Sequence, residues 1–284
     1  MITMAIQKSG RLSEKSLNLL KEAGIHLDNG SQKRLLTRAR NFPLQVLYLR
    51  DDDIPESVAD GVADIGIVGL NVVEEKEKPV KIVDRLGFAR CRLSIAVPKQ
   101  MDYTDRQQLN GLRIATSYPN ILRKFLQQHN IEATIHEISG SVEVAPGIGM
   151  SDAIFDIVST GSTLISNGLK EVETVIESEA VMIATPDLAE EKQQLLDKLR
   201  FRMQAVRKAE QFRYILLNAP NEKLETITRI LPGMKSPTIM PLATEGWSSV
   251  HSVIREDEFW DIIEQLKANG AQGILVVPIE KMIL

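Results

Sequence analysis

Cysteine and histidine are scarce in this chain of 284 residues, which contains one cysteine and four histidines. A single cysteine, Cys91, excludes an internal disulfide framework and a cluster of thiolate metal ligands. We interpret it as a small buried hydrophobic side chain. The histidines are scattered without the spacing of metal ligands, so the sequence does not predict a structural zinc site.

The chain also lacks a long apolar run and a strong charge of one sign. No stretch approaches the length of a membrane span, and residues 1–8 do not have the layout of a signal peptide, so we expect a cytoplasmic protein with no membrane partner. The formal net charge of −4 disfavours a nucleic-acid partner. Any phosphate site must therefore be locally basic. With 43% hydrophobic residues, the chain is long enough for two or three domains.

The most informative segment, residues 152–163, has the sequence DAIFDIVSTGST. Its apolar part predicts a buried strand over residues 153–158, and the turn that follows consists of Ser159, Thr160, Gly161, Ser162 and Thr163. Hydroxyls, backbone N–H groups and a glycine suit a phosphate-binding turn, and a helix over residues 164–169 would point its N-terminus at the same anion. The segment therefore predicts a sugar-phosphate site.

Two carboxylates accompany this turn. Asp152 and Asp156 are four residues apart, so on a regular strand they share one face and could bind a ribose diol or approach a magnesium ion held by pyrophosphate. The alternative is an ordinary strand followed by a Ser/Thr helix cap. Asp156 favours the site, because a carboxylate within a central strand is costly unless something pairs with it.

The beginning of the chain predicts an α/β fold, with strands at residues 2–6 and 44–50 and a helix at 13–23. The basic residues Lys8, Arg11 and Arg50 can gather at the carboxyl edge of one sheet, where open α/β sheets bind ligands. Asp52 belongs to an acidic run at residues 51–53, which is either part of the site or a solvated helix N-terminus.

A weak internal repeat relates residues 58–69 to residues 144–158, and it indicates two similar lobes with a cleft between them. We expect lobe I at residues 1–88, lobe II at 89–181, and a return with a connecting helix at 182–210. Within lobe II the pattern predicts strands at 93–97, 113–116 and 134–137 and a helix at 121–129. A long helix is expected at 187–209. Residues 211–284 follow the order β-α-β-β-α-β of a ferredoxin-like domain.

Six motifs together make a specific resemblance, and it covers essentially all 284 residues. They are AIQKSGRL at 5–12, RDDDIP at 50–55, IATSYP at 114–119, GSVEVAP at 140–146, the segment at 152–163, and PTIMPL at 237–242. The chain resembles the long-form ATP phosphoribosyltransferases, the family that opens histidine biosynthesis. The resemblance implies an α/β body like the type II periplasmic binding proteins and a C-terminal ferredoxin-like, ACT-like regulatory domain.

The resemblance also implies the reaction, in which nitrogen 1 of the adenine of ATP attacks phosphoribosyl pyrophosphate and pyrophosphate leaves with inversion. The turn would hold the ribose phosphate, Asp152 and Asp156 the ribose hydroxyls, and Mg²⁺ would neutralise the leaving group. The phosphates of ATP and the pyrophosphate would contact Lys8, Arg11 and Arg50. Glu143 either caps its own helix or touches the ligand.

Regulation by histidine and assembly into dimers and hexamers are further implications of the resemblance. We expect the inhibitor at Asn218, Met234, Ser236, Thr238 and Ala271, although these positions equally suit plain strand ends and turns. Two other classes of function stay open, a solute-binding protein of the same fold and a regulatory subunit with an inactive body. The missing signal peptide disfavours the former, and the intact turn the latter.

Overall fold

The structure, a computed structural model, describes residues 1–28 and 35–283. These residues form two compact units. One consists of Met1–Asn18 and Ile25–Leu196, and the other of Leu19–Gly24 and Asp197–Leu284. Within the described residues, no helix is long and apolar enough to cross a membrane.

The first unit contains a six-stranded sheet, which defines lobe I. Strand β1 (Ile2–Gln7) lies between β3 (Leu44–Leu49) and β4 (Ile65–Gly69) and is parallel to both. Strand β11 (Ala180–Ala184) joins the other side of β4 and runs antiparallel to it and to β5 (Lys81–Arg85). The short strand β2 (Leu36–Arg38) completes the order β2-β3-β1-β4-β11-β5.

A second sheet of five strands defines lobe II. Strand β7 (Arg113–Thr116) lies between β8 (Thr134–Glu137) and β9 (Ala153–Val158), parallel to both. Strand β6 (Cys91–Pro98) is antiparallel to β9 and to β10 (Leu169–Ser178), which gives the order β10-β6-β9-β7-β8.

The two sheets have the same topology. In lobe I, β1 lies between β3 and β4, and the antiparallel strand β11 lies beyond β4. In lobe II, β7 lies between β8 and β9, and the antiparallel strand β6 lies beyond β9. Strands β4 and β9, which contain the sequence repeat, occupy equivalent places. This arrangement confirms the predicted two-lobed α/β body of the type II periplasmic-binding-protein kind.

Close packing explains one glycine of lobe I. Helix α2 (Ile54–Ala59) packs against β4, and a Cβ atom on Gly66 would come within 2.7 Å of Ile54 Cγ2. Ile65, Ile67 and Val68 around it are buried, as in a parallel strand covered on both faces. The missing side chain therefore lets the helix approach the sheet.

The remaining helices of this part of the chain begin mostly where strands of the two sheets end. They are α1 (Arg11–Glu22), α3 (Leu70–Lys76), α4 (Pro119–Gln128), α5 (Ser162–Ser166) and α6 (Glu190–Glu210). Helices α3, α4 and α5 follow β4, β7 and β9, so their N-termini lie at the carboxyl edges of the two sheets. That is the edge where α/β sheets bind ligands.

Hydrogen bonds join the lobes beside the two chain crossings. The N–H of Asn71, at the start of α3, donates to Ser178 Oγ at 3.0 Å, and this hydroxyl donates to Asn71 Oδ1 at 2.8 Å. Asn71 Nδ2 also donates to Tyr118 Oη at 3.2 Å. One asparagine of lobe I thus binds two elements of lobe II.

A buried carboxylate adds a second link between the lobes. Glu75 of α3 accepts hydrogen bonds from the backbone N–H groups of Asn120 and Ile121, in the first turn of α4, at 3.0–3.1 Å. Burial raises the pKa of Glu75, and the two backbone N–H groups oppose that rise. The carboxylate of lobe I therefore satisfies the orphan donors of a lobe II helix.

The second unit contains a four-stranded antiparallel sheet in the order β13-β14-β12-β15. Its elements are β12 (Phe212–Pro220), α7 (Leu224–Ile230), β13 (Thr238–Pro241), β14 (Trp247–Arg255), α8 (Phe259–Ala268) and β15 (Gln272–Pro278). Buried side chains of β12, including Ile215 and Leu217, form a core with Ile227 and Leu266 of the helices. The predicted ferredoxin-like order is confirmed.

Some predicted elements differ from the structure. The helix expected at 164–169 is wrong: α5 begins at Ser162, because Gly161 adopts φ +78° as its N-cap, and Leu169 already belongs to β10. Strands β2, β5 and β10 were not predicted. Cys91 is only half-buried rather than buried.

We predict that Glu75→Gln destabilises the first unit by about 1–3 kcal/mol, because an amide accepts fewer hydrogen bonds and leaves a buried N–H group of α4 without a partner. Thermal unfolding should show the lower midpoint. Glu56→Gln provides the control, since Glu56 is exposed and its ion pair with Lys78 at 2.6 Å lies within lobe I. Equal midpoints for the two variants would contradict the link between the lobes.

Candidate active site

The turn at residues 159–163 follows the last residue of β9 and leads directly into α5. Gly161, in the left-handed region at φ +78°, is the N-cap residue of α5, and no side chain caps this helix. The hydroxyls of the turn therefore do not serve as the ordinary helix cap that the sequence left open.

Most of the turn is exposed to solvent. Thr160 Oγ1 and Ser162 Oγ lie 3.0 Å apart and hydrogen bond to each other. The side chains of Ser159 and Thr163 are exposed and form no hydrogen bond within the described part of the chain. The turn thus presents two uncommitted hydroxyls beside backbone N–H groups, which suits an anion.

Asp156 lies near the carboxyl end of β9, opposite Ser94 of β6. Its Oδ1 accepts a hydrogen bond from Ile157 N–H at 2.8 Å, and it has no cationic partner among the described residues. Burial raises the pKa of Asp156, the bond from Ile157 N–H lowers it, and the charge of Glu143 raises it further. The sequence analysis expected a partner for a carboxylate in this strand, and the described residues supply only the Ile157 N–H group.

Glu143 lies in the short 3-10 helix Val142–Val144, where no side chain forms a cap. Its charge contributes to the raised pKa of Asp156. Of the two alternatives for Glu143, the structure therefore does not show the helix cap.

Tyr118 relates these groups to lobe I. Burial raises the pKa of its phenol, the charge of Asp156 raises it further, and Asp51 and Asp52 of lobe I add smaller contributions. Its hydroxyl accepts the hydrogen bond from Asn71 Nδ2 at 3.2 Å, which opposes that rise in pKa. Because Asn71 follows β4 and Tyr118 follows β7, the carboxyl edges of the two sheets meet at this contact.

Lobe I contributes the predicted basic residues. Lys8 and Arg50 follow the neighbouring strands β1 and β3, and Lys8 N–H donates to Leu49 O at 2.8 Å. Both side chains are exposed, as is Arg11 at the start of α1. Asp52 lies in the turn that leads into α2 and pairs with Lys76 at 3.6 Å. The structure therefore brings Lys8 and Arg50 to one sheet edge, as expected.

Asp152 is not brought to the turn. It precedes β9 at the opposite end of the strand, and Arg113 binds both of its oxygens, through Nε at 3.1 Å and Nη2 at 2.8 Å. The Arg113 guanidinium lowers the pKa of Asp152. The expectation that Asp152 and Asp156 act together on one ribose does not fit this placement, because Asp152 is bound to Arg113 and four strand residues span roughly 13 Å.

A cavity of about 520 Å³ beside the turn was missed from the sequence. It is lined by Arg85, Arg90, Cys91, Arg92, Ser159, Glu177, Ser178 and Glu179. Two of its three arginines are paired with carboxylates, Arg85 with Glu179 and Arg92 with Glu171, so the lining is polar rather than strongly basic. The sequence did not indicate this cavity, because its lining residues come from three separate segments near the chain crossings.

The described residues contain no group of three or more His, Cys, Asp or Glu side chains that could hold a metal ion. Mg²⁺ commonly uses one or two carboxylates together with substrate phosphates. Asp156, which lacks a cationic partner in the described chain, fits that mode of binding.

Comparison with known proteins identifies the family. The ATP phosphoribosyltransferase family model matches residues 50–205, and the model of the HisG C-terminal domain matches residues 209–281. The chain belongs to the ATP phosphoribosyltransferase family. The reaction of this family opens histidine biosynthesis.

Close relatives support the assignment. The chain is 61% identical to the ATP phosphoribosyltransferase of Cytophaga hutchinsonii, with 99% of this chain and 98% of the relative covered. It is 56% identical to that of Phocaeicola vulgatus over the full length of both chains. The resemblance stated from the motifs is thereby confirmed.

Solved structures agree on the fold of an ATP phosphoribosyltransferase. The ATP phosphoribosyl transferase (HisG:HisZ) complex from Thermotoga maritima matches with a TM-score of 0.61 and 29% identity, covering 72% of this chain and 99% of that one. A histidine kinase sensor domain with similarity to periplasmic binding proteins matches with a TM-score of 0.50 and 11% identity, over 73% and 90%. The second match shows the fold alone.

In the second unit, the residues predicted to bind histidine lie on several elements. Asn218 is half-buried in β12, Thr238 begins β13 on the far side of β14, and Ala271 is buried in the core. Met234 and Ser236 are exposed in the segment before β13. The sheet register pairs Asn218 with Gln272, the neighbour of Ala271, whereas β14 lies between Asn218 and Thr238.

Asp156 in β9 and Asp152 just before it predict pH dependences of stability with opposite signs. The folded-state pKa of Asp156 is raised, so the folded protein loses stability as the pH rises through that range. Asp156→Asn removes this loss, and we expect its midpoint of thermal unfolding, relative to wild type, to be higher at about pH 7 than at about pH 4.

Asp152→Asn is the matched comparison. The pKa of Asp152 is lowered, so its stabilisation exists above the unfolded value and disappears as the pH falls through the folded one. We expect this variant to be less stable than wild type at neutral pH, with the deficit shrinking in acid. The same pH trend in both variants would contradict the geometry.

Proposed function

We propose that the chain transfers the phosphoribosyl group of phosphoribosyl pyrophosphate to nitrogen 1 of the adenine of ATP, giving phosphoribosyl-ATP and pyrophosphate. One observation carries the proposal: a turn with two uncommitted hydroxyls, Ser159 and Thr163, lies directly beyond a strand with an uncompensated carboxylate at Asp156. A sugar phosphate is a ligand that uses both features.

The 5′-phosphate binds in the turn. Its oxygens accept hydrogen bonds from the backbone N–H groups that follow Gly161 and from the hydroxyls of Ser159 and Thr163. Gly161 permits this path of the chain because its φ of +78° is open to glycine.

The ribose lies next to Asp156, whose free oxygen accepts a hydrogen bond from a ribose hydroxyl. As the bond between C1′ and the pyrophosphate oxygen breaks, positive charge develops on the ring, and the carboxylates of Asp156 and Glu143 stabilise it. Bond formation from adenine nitrogen 1 to C1′ completes the displacement, and the adenine ring then gives up one proton.

The phosphates of ATP bind to the exposed cations of lobe I, namely Lys8, Arg11 and Arg50. Arginine offers two parallel donors to a phosphate and lysine a point charge. With the two substrates on facing sheet edges, the chain supplies mainly orientation, which is the main requirement of a displacement without a covalent intermediate. Asp52 is available at the same edge, although Lys76 competes for it.

The substrate phosphates would hold Mg²⁺, with Asp156 as the nearby carboxylate, and the ion would supply charge neutralisation for the departing pyrophosphate. We also propose that histidine inhibits the enzyme through the C-terminal domain and that the chain assembles as dimers and hexamers. These properties, and a cytoplasmic location, follow from family membership and stay predictions.

The test is the ultraviolet absorbance of purified protein with ATP, phosphoribosyl pyrophosphate, magnesium and pyrophosphatase. We expect a rise that requires both substrates. Asp156→Asn and Thr163→Val should reduce the rate by about 100-fold or more, since each removes a contact to the reacting sugar.

Thr134→Val controls for the change from threonine to valine. Thr134 is exposed at the start of β8, on the opposite edge of the same sheet, so its variant should keep the wild-type rate. Full activity in both site variants would refute the assignment of the turn. Binding without turnover in wild type would instead indicate a binding protein or an inactive subunit.

Addition of histidine tests the regulatory proposal. We expect histidine to lower the rate of wild type, and Asn218→Ala to need about tenfold more histidine, because a lost polar contact is worth roughly 1.4 kcal/mol. Asn269→Ala, at the end of α8 in the same unit, is the control. Equal inhibition of both variants by histidine would show that histidine does not bind at Asn218.

A further inference from the structure

Arg92 lies where strand β9 becomes the turn. In the antiparallel pairing of β6 with β9, Arg92 is opposite Val158, the last residue before Ser159. The register of two central strands thus fixes the backbone of Arg92 beside the start of the turn.

A carboxylate holds the guanidinium of Arg92 in one orientation. Nε and Nη2 donate to the two oxygens of Glu171 in β10, and Ser94 Oγ donates to Glu171 Oε1 at 2.7 Å. Such a bidentate pair sets the plane of the guanidinium as well as its position. Both side chains are partly buried, at 35% exposed for Arg92 and 25% for Glu171.

Strand β10 is irregular at this point. Its register against β6 shifts between Glu171 and Glu173 and again between Thr174 and Ile176. Thr174 Oγ1 lies 3.3 Å from Glu171 Oε1 and donates to it. Bulges of this kind re-aim side chains next to binding sites, and here the shift accompanies a carboxylate with three side-chain donors.

The third nitrogen of the guanidinium, Nη1, contacts the turn. Arg92 Nη1 donates to the carbonyl oxygen of Ser159 at 3.4 Å. This carbonyl belongs to the peptide that links Ser159 to Thr160, so its orientation also sets the direction of the Thr160 N–H. Because Glu171 neutralises the charge of Arg92, the contribution of Arg92 is geometric rather than a direct attraction for an anion.

We propose that Arg92 is a positioning residue for the phosphoribosyl site: held by Glu171, it fixes the first peptide of the turn in the orientation that binds the 5′-phosphate. The proposal rests on the proposed function, because it assigns the phosphate to that turn. It adds Glu171 and Ser94 as the support of Arg92.

The chain contains a matched pair for comparison. At the other end of β9, Arg113 binds both oxygens of Asp152, and its Nη1 donates to Gly149 O at 3.2 Å. The chemistry is the same, an arginine held by a carboxylate with one donor on a carbonyl. The decisive difference is the carbonyl, since that of Gly149 is remote from the turn. The other donors to the carboxylates also differ, being hydroxyls at Glu171 and the backbone N–H of Arg113 at Asp152.

The experiment compares Arg92→Lys with Arg113→Lys. Lysine keeps the charge and one contact to the carboxylate, but it cannot also span to the carbonyl. We expect Arg92→Lys to raise the KM and the Kd for phosphoribosyl pyrophosphate about tenfold, with the KM for ATP and the kcat at saturation within about twofold of wild type. Arg113→Lys should leave all four constants within about twofold.

A second variant tests the proposal even if Arg92→Lys does not fold. Glu171→Gln keeps Arg92 but loosens its hold, and we expect the same selective rise in the KM for phosphoribosyl pyrophosphate. Unchanged affinity for this substrate in both Arg92→Lys and Glu171→Gln would overturn the proposal. So would equal losses in Arg92→Lys and Arg113→Lys accompanied by equal falls in the unfolding midpoint, which indicate a purely structural pair.

Calorimetric binding of phosphoribosyl pyrophosphate separates this proposal from the proposed function. Wild type that binds this substrate but forms no phosphoribosyl-ATP would refute the function and leave the Kd comparison as the test of Arg92. Wild type without any binding would overturn both.

Discussion

The chain crosses between the lobes twice, and each crossing leads into a strand that is antiparallel to its new neighbour. The rest of the first unit depends on this constraint. Strand β6 begins lobe II against β9, and β11 returns to lobe I against β4. Because both crossings occur at the carboxyl edges of β4 and β9, the two ligand-binding edges must face each other. The hydrogen bonds of Asn71 and the carboxylate of Glu75 then join the lobes beside these crossings.

Local sequence patterns predicted most helices and strands. They could not predict contacts between segments that are distant in the sequence. The apolar run before Ser159 and the clustered hydroxyls identified β9 and its turn, since both depend on neighbouring residues. Asp152 was misplaced because alternation along a strand says nothing about where the strand begins. Arg92 and Glu75 were missed because their partners, Glu171 and the first turn of α4, are remote in sequence.

Three carboxylates of the body differ in what compensates their charge. Asp152 is paired with Arg113, and Glu75 accepts two backbone N–H groups, so each contributes to the fold. Asp156 receives a single hydrogen bond from its neighbour and keeps a raised pKa. A chain that only had to fold would gain by replacing that carboxylate, so its presence is best explained by a ligand that completes its contacts.

The two arginine–carboxylate pairs around β9 show why chemistry alone does not define a role. Arg113 and Arg92 each give two donors to a carboxylate and a third to a backbone carbonyl. At the amino end of β9 that carbonyl belongs to Gly149, whereas at the carboxyl end it belongs to the first peptide of the turn proposed to bind the 5′-phosphate. The end of the strand makes the difference, because α/β sheets bind ligands at the carboxyl ends of parallel strands such as β7 and β9, and only an interaction at that end is placed to orient a ligand as well as the fold.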